Sequence, residues 1–264
     1  MTRRAPPESA HERAASSGDG DHDDLMAAVR ARDEFIAIAA HELRNPMAAV
    51  LLHVQALRKN SLRGDPMPDL PGRLEVLEQR VKSFIQRATT MLDVTRLNAG
   101  AYRLEPEPVL LDEVIRSSID ELRPQAEQMG SAFKTRLEPG ILGRWDRLAL
   151  LQVTSNLLSN AVKYGAGRPI TVRAWRESEA AFLQVEDEGI GMSDDDRARV
   201  FAKFERAVKR RQHGGFGLGL WIVGQLIEHM RGSIEFTSAL ERGSTFTVRL
   251  PLHPPAQTEE RQHG

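Results

Sequence analysis

Between Asp33 and Leu57, the residues Ile36, Ala39, Leu43, Met47, Val50, Val54 and Leu57 recur at steps of three and four. That spacing makes the apolar seam of a helix, and such a seam has to be buried against other helices. Gly64, Pro66, Pro68 and Pro71 crowd the next stretch and predict a turn. A second periodic segment, from about Gly72 to Asn98, carries Leu74, Leu77, Val81, Phe84 or Ile85, Ala88, Leu92 and Thr95 near heptad positions. Asn98-Ala99-Gly100 ends it, glycine being favoured just beyond a helix C-terminus. Two amphipathic helices with a short connection form an antiparallel hairpin. One hairpin has too little core to stand alone, so the expected state is a homodimer whose two hairpins build a four-helix bundle.

Successive helical residues lie about 100° apart, which places His41 roughly opposite the seam. Glu42 falls at the flank of the exposed face, and Asn45 lies one turn further along it. Pro46 removes a backbone hydrogen bond and crowds the preceding turn, so a local bend is expected there. Taken alone, His41 reads as a solvated histidine on a long helix. Ala37, Ile38, Ala48 and Leu52 share its side, however, and extend the apolar surface beyond the seam, so something is expected to dock there.

The chain has 264 residues, enough for one or two domains with a sizeable core. A net charge of -1 gives no reason to expect nucleic-acid binding, and the absence of cysteine excludes disulfides and thiolate chemistry. No apolar run approaches the roughly 20 residues that cross a bilayer, and the N-terminus lacks the apolar core of a secretory signal. A soluble, cytoplasmic protein without direct membrane insertion is expected. Residues 1–24 and 253–264 have almost nothing to bury and read as disordered. Residues 25–99 form the helical hairpin, and residues 100–252 form a second domain.

In that second domain the pattern changes. Leu111 to Met129 is amphipathic, and Phe133 to Leu137 and Ile141 to Trp145 are short strand candidates on either side of Pro139-Gly140. A strongly periodic helix from Arg147 to Tyr164 opens on Asp146 as its N-cap. Ile170 to Trp175 and Ala181 to Glu186 read as paired strands. Leu218 to Met230 is helical, and Ser233 to Thr237 and Ser244 to Leu250 close the domain as strands. Helices and strands in this non-alternating order predict an α+β sandwich.

Three motifs on this frame carry chemistry. The helix from Arg147 puts Asn156, Asn160, Lys163 and Tyr164 on one face. Asparagine is a neutral oxygen ligand suited to a Mg²⁺ already held mainly by phosphates and water, and lysine supplies charge for phosphates. A solvated polar helix face would look the same. Asp187-Glu188-Gly189-Ile190-Gly191 follows an apolar strand, where glycines let the backbone turn close to a ligand and the carboxylate can accept from an amino group; a plain turn is the alternative. Gly214-Gly215-Phe216-Gly217-Leu218-Gly219-Leu220 runs straight into a helix, so backbone N–H groups at its N-terminus can approach phosphates. A dinucleotide fingerprint is the rival reading of these glycines, but no βαβ unit surrounds them. Between the glycine motifs lies VFAKFERAVKRRQHG, which has the composition of a mobile lid or of an ordinary charged loop. The order and spacing of the motifs together point to a nucleotide pocket.

From about Leu25 to Leu252 the chain resembles the sensor histidine kinases of bacterial two-component systems. HELRNP, from His41 to Pro46, is similar to their phosphoacceptor box. NLLSNAVKY is similar to the N box, DEGIG to the first glycine box, FAKFER to the phenylalanine box and GFGLGL to the second glycine box. The resemblance implies a dimerisation and phosphotransfer hairpin followed by an ATP-binding domain of the Bergerat fold, the α/β sandwich shared with gyrase and MutL. It implies that His41 is phosphorylated, that Glu42 is the base that helps activate it, and that Asn45 positions water during dephosphorylation. Asn160 would coordinate Mg²⁺, Asp187 would bind the adenine amino group, and Lys163 and Arg206 would face the phosphates of ATP. Asn156, Tyr164, Gly189, Gly191, Gly215, Gly217, Leu218 and Gly219 complete the implied nucleotide set. The implied partners are a second copy and the receiver domain of a response regulator. With no transmembrane segment and no room for a folded sensor domain before Leu25, the signal is expected from a partner sensor protein, from the short N-terminal segment or through a membrane protein that recruits the chain. Two positions depart from the usual pattern: Asn45 stands where Thr is common, and Phe216 where a small or hydroxylated residue is common.

Two other readings compete. Gyrase- and MutL-like ATPases carry a water-activating glutamate one turn before the Mg²⁺-binding asparagine, and Asn156, which cannot act as a base, stands there instead. A nucleotide-binding dimeric scaffold without kinase activity would leave His41 unused.

Overall fold

The computed structural model describes residues 26, 36–37, 39–40, 43–63, 69–99, 101–202 and 217–253. His41, Glu42, Arg206 and Gly215 lie outside the described residues, as do both terminal segments. The chain divides into two compact units, Met1–Met91 and Leu92–Gly264.

In the first unit residues 43–63 form helix α1, which continues without interruption through Pro46. Helix α2 spans Leu70–Asn98 and begins two residues earlier than expected, with Pro71 inside it. Proline is tolerated in a first turn, where its missing N–H has no intrahelical partner anyway. Asp69 caps this start from a left-handed backbone (φ 62), its carboxylate accepting from Gly72 N–H at 3.2 Å. Seam residues remain open in the single chain: Met47 is 55% exposed, Val54 44%, Leu74 49% and Ile85 56%.

The second unit is an α/β sandwich. Its main sheet has the order β2-β4-β5-β7-β6, from β2 (Phe133–Leu137), β4 (Ile170–Glu177), β5 (Ala180–Asp187), β7 (Gly243–Pro251) and β6 (Ser233–Ala239). Only β2 runs parallel to its neighbour; the other pairings are antiparallel. Helices α3 (Leu111–Gln128), α4 (Arg147–Tyr164) and α6 (Gly219–His229) pack in a layer on the sheet, with α4 between the other two. Alternation along β5 and β7 sends Leu183, Val185, Phe246 and Val248 into the core between the layers.

Three local features go beyond what the sequence announces. The strands flanking Pro139-Gly140 do not pair with each other: β2 joins β4, and β3 (Leu142–Trp145) joins β1 (Glu107–Leu110) in a separate two-stranded sheet. Strand β1, sequence EPVL, carries no alternating signal that would announce it. Helix α5 (Asp194–Arg199) is a short acidic turn nucleated by Ser193, whose hydroxyl accepts from Asp196 N–H.

Trp145 joins the small sheet to the main one. It is 1% exposed, its ring fills the space left by the missing side chain of Gly143, and its Nε1–H donates to Pro251 O at 2.8 Å. Trp145→Phe should destabilise the second unit by about 2 kcal/mol, from the unpaired carbonyl and the vacated volume. Denaturant unfolding measures this, and nucleotide affinity should stay unchanged under conditions where the variant remains folded.

Candidate nucleotide site

Helix α4 starts on Asp146, whose carboxylate accepts from Ala149 N–H at 2.9 Å. Val153, Leu157, Leu158, Ala161 and Val162 turn into the core. The period of 3.6 then leaves Asn156, Asn160, Lys163 and Tyr164 half-buried along the opposite face. The Nδ2 amide of Asn156 is buried and has no hydrogen-bond partner among the described residues. A buried donor without a partner costs roughly 1–3 kcal/mol, and a ligand oxygen would remove that cost. Gln152, one turn earlier, has an Nε2 in the same condition. No motif marks Gln152, and the i, i+4 step to Asn156 is the one sequence signal that places it on this face.

The end of α4 supports the first glycine motif. Tyr164 O accepts from Ile190 N–H at 3.1 Å, and a Cβ on Gly189 would lie 1.9 Å from the same oxygen. On the other side, a Cβ on Gly191 would lie 1.8 Å from Ala239 O, and Ile190 O accepts from Glu241 N–H at 2.8 Å in the β6–β7 turn. The DEGIG loop is thus held between a helix C-terminus and a hairpin turn, with contacts too close for any side chain at either glycine. Gly243, which the sequence reading did not single out, serves the same loop: a Cβ there would sit 1.9 Å from Asp187 O.

Asp187 ends β5 and is 6% exposed. Its Oδ1 accepts from Gly189 N–H at 2.9 Å. Burial raises its pKa above the usual 3.8; the backbone N–H groups of Gly189 and Ser244 oppose the rise, and the charge of Glu186 adds to it.

Gly217 (φ 67) and Leu218 lead into α6, whose start has no side-chain cap among the described residues, so its first N–H groups can serve a ligand. A Cβ at Gly219 would be 3.6 Å from Asn156 Oδ1, which brings the second glycine motif onto the asparagine face of α4. The structure therefore collects Asn156, Asn160, Lys163, Tyr164, Asp187, Gly189, Gly191, Gly217, Leu218 and Gly219 within one unit. Asn45 is exposed on α1 in the other. Among the described residues there is no cluster of His, Asp or Glu able to hold a metal unaided. An ion here would need Asn160 together with oxygens from a phosphate-bearing ligand, which suits a hard cation carried in with that ligand. No helix among the described residues is long and apolar enough to cross a membrane.

Comparison with known proteins agrees with this geometry. The family of histidine kinase-, DNA gyrase B- and HSP90-like ATPases matches residues 145–254, and the His Kinase A (phospho-acceptor) domain matches residues 31–100. The circadian input-output histidine kinase CikA of Synechococcus elongatus is 31% identical over 236 residues, covering 86% of this chain and 31% of that protein. The chain thus spans about a third of the length of this curated relative. The Acinetobacter baumannii histidine kinase AdeS shares the fold, with a TM-score of 0.60 at 22% identity over 80% of this chain and 98% of that one. Full-length ShkA, solved in complex with AMPPNP, gives a TM-score of 0.58 at 25% identity over 83% of this chain and 45% of that one. With both domains matched in the order the sequence places them, and with the nucleotide motifs gathered on α4, β5 and α6, the chain belongs to the sensor histidine kinases.

Proposed function

We propose that the protein is an ATP-dependent histidine kinase that phosphorylates itself on His41 and passes the group to an aspartate of a separate response regulator. The observation that carries this reading is the junction at Asn156, where an unpartnered buried amide, the glycine entry to α6 and the polar face of α4 meet. In this reading Asp187 accepts from the adenine amino group while Gly189 and Gly191 let the loop lie against the base. Lys163, Arg206 and the open N–H groups of α6 neutralise the phosphates. Mg²⁺, held by Asn160 and the phosphates, would supply charge neutralisation on the transferring group. An imidazole nitrogen of His41 attacks the γ-phosphorus, Glu42 assists by drawing the ring proton, and the bond to the ADP oxygen breaks. Asn45 would position water when the bundle acts as a phosphatase and hydrolyses the regulator's aspartyl phosphate. The exposed seam residues of α1 and α2 support a homodimer, since a second hairpin would bury them. An upstream sensor partner and a cytoplasmic setting belong to the same proposal. Direct hydrolysis of the gyrase type is disfavoured because Asn156 stands where the water-activating carboxylate would be.

The test is transfer of labelled γ-phosphate from Mg-ATP to the purified chain, beside His41→Gln. Acid-labile label on the wild type and none on the variant is the expected result. Label persisting in the variant would move the acceptor elsewhere. ATP binding without label in either would favour the scaffold.

Burial of Asp187 adds a pH signature. Its raised pKa means that acidification protonates it before an exposed aspartate, so ATP affinity should fall at a higher pH than ordinary carboxylate titration would give. The native state binds this proton more tightly than the unfolded chain, so the same acidification makes this group's own contribution to stability more favourable. Affinity should therefore drop before the fold does. Calorimetric titration with ATP over a pH series, run beside thermal melts, separates the two.

A further inference from the structure

Residues 101–106, between α2 and β1, do not hang as a free tether. The ring of Tyr102 stands edge-on against His229 at the end of α6, with centroids 6.1 Å apart. Glu105 N–H donates to the second carboxylate oxygen of Asp146 at 2.9 Å, and Arg144 Nη2 donates to Pro106 O at 3.2 Å. The last turns of α2 belong to the same unit, with Val94 fully buried and Leu97 6% exposed. Burial, followed by the charges of Asp146 and of Asp93 in these turns, pushes the pKa of the Tyr102 hydroxyl up to about 12, against the opposing charge of Arg96.

These fastenings fall at particular ends of particular helices. Asp146 opens α4 and His229 closes α6, whereas the nucleotide-facing residues lie away from those ends, from Asn156 in mid-helix to Tyr164 on α4 and at Gly219, which opens α6. At 1.5 Å per residue, about 21 Å of α4 separates Asp146 from Asn160, and about 15 Å of α6 separates Gly219 from His229. The two helices pack along each other, so neither end shifts independently of the other.

We infer that residues 101–106 are a strap clasped to the nucleotide-binding unit, and that Tyr102 is a positioning residue that makes residues 92–98 of α2 travel with that unit. Nucleotide at one end of α4 and α6 tightens the strap at the other, and because coupling is reciprocal a loosened strap weakens nucleotide binding slightly.

The experiment is amide hydrogen exchange on the full chain, with and without Mg-ADP, for wild type, Tyr102→Ala and Tyr102→Phe. Tyr102→Ala should raise exchange at residues 93–98 and 101–105 by about tenfold while the interior of α4 and β5 stays protected. Tyr102→Phe keeps the ring on His229 and should behave as wild type. Autophosphorylation by Tyr102→Ala should show kcat lowered by about tenfold, with KM for ATP within about threefold of wild type, because the site stays intact and only the body that carries it loosens. Unchanged exchange at residues 93–98 in Tyr102→Ala, or exchange raised uniformly over the domain, would overturn the inference. The role of Tyr102 in turnover rests on the kinase reading, but the exchange result does not. A wild type that never labels itself would sink that reading and leave the strap standing.

Discussion

Asp187→Asn is expected to weaken ATP binding by about 100-fold and to reduce self-labelling in proportion, while leaving the domain as stable as before or more so. The carboxylate accepts from the adenine amino group in the proposed complex, and removing a hydrogen bond to a charged acceptor costs roughly 1.5–3 kcal/mol, or about 10- to 200-fold. An amide is worse than a neutral acceptor here, since it can turn its own donor toward the adenine amino group. Stability should move the other way. Asp187 is a buried acid with a raised pKa, so its ionised form is a cost to the native state at neutral pH. Asparagine removes that cost and can still accept from Gly189 N–H through its carbonyl oxygen. His41→Gln gives the complementary phenotype: ATP affinity unchanged and label absent. Calorimetry with ATP and labelling with γ-phosphate, applied to both variants, separate binding from chemistry. Full ATP affinity in Asp187→Asn would remove the aspartate from the base-binding role.

Much of the second unit could be read from local signals. Asp146 before a strongly periodic run announced α4 because the cap and the apolar face agree. Strands β4 and β5 are sequence neighbours, so their pairing needed only a two-residue turn between alternating segments. What escaped depends on partners distant in the chain. Phe133 to Leu137 pairs with Ile170 to Ala174, and no local pattern distinguishes that parallel partner from the nearer strand at Leu142. The six residues of α5 are Asp194-Asp-Asp-Arg-Ala-Arg199, which have no apolar stripe to show a period. In the candidate site, the glycines of DEGIG were visible as glycines, but their reason was not: Gly189 answers to Tyr164 O and Gly191 to Ala239 O. Gly243 escaped because its constraint, the carbonyl of Asp187, lies 56 positions earlier (243 − 187) and reaches it only through the register of β5 with β7. His41, Glu42, Arg206 and Gly215 lie outside the described residues, so their placement rests on sequence.

Gly189→Ala should abolish labelling and remove measurable ATP binding, more severely than Asp187→Asn. A methyl at Gly189 would be 1.9 Å from Tyr164 O, 2.6 Å from Tyr164 C and 2.7 Å from Gly165 Cα. All three atoms are backbone, so no side chain can swing aside, and either the loop or the end of α4 must shift by more than an ångström. Moving the loop breaks the bond from Ile190 N–H to Tyr164 O and pulls Gly189 N–H from Asp187 Oδ1. Moving the helix end displaces Lys163 and Tyr164 instead. Either response takes apart the juxtaposition of α4 and Asp187 on which the site depends, and displacement of about 1 Å alone can cost about 100-fold in rate. The overpacking should also cost roughly 1–3 kcal/mol of stability. Gly140→Ala is the control, because a Cβ there meets nothing within 4 Å; with φ 75 it carries backbone strain and no steric contact. If the two variants lose similar stability in denaturant titrations and only Gly189→Ala loses ATP, the loss comes from the site's geometry. Retained ATP binding in Gly189→Ala would mean that the base lies elsewhere than against this loop.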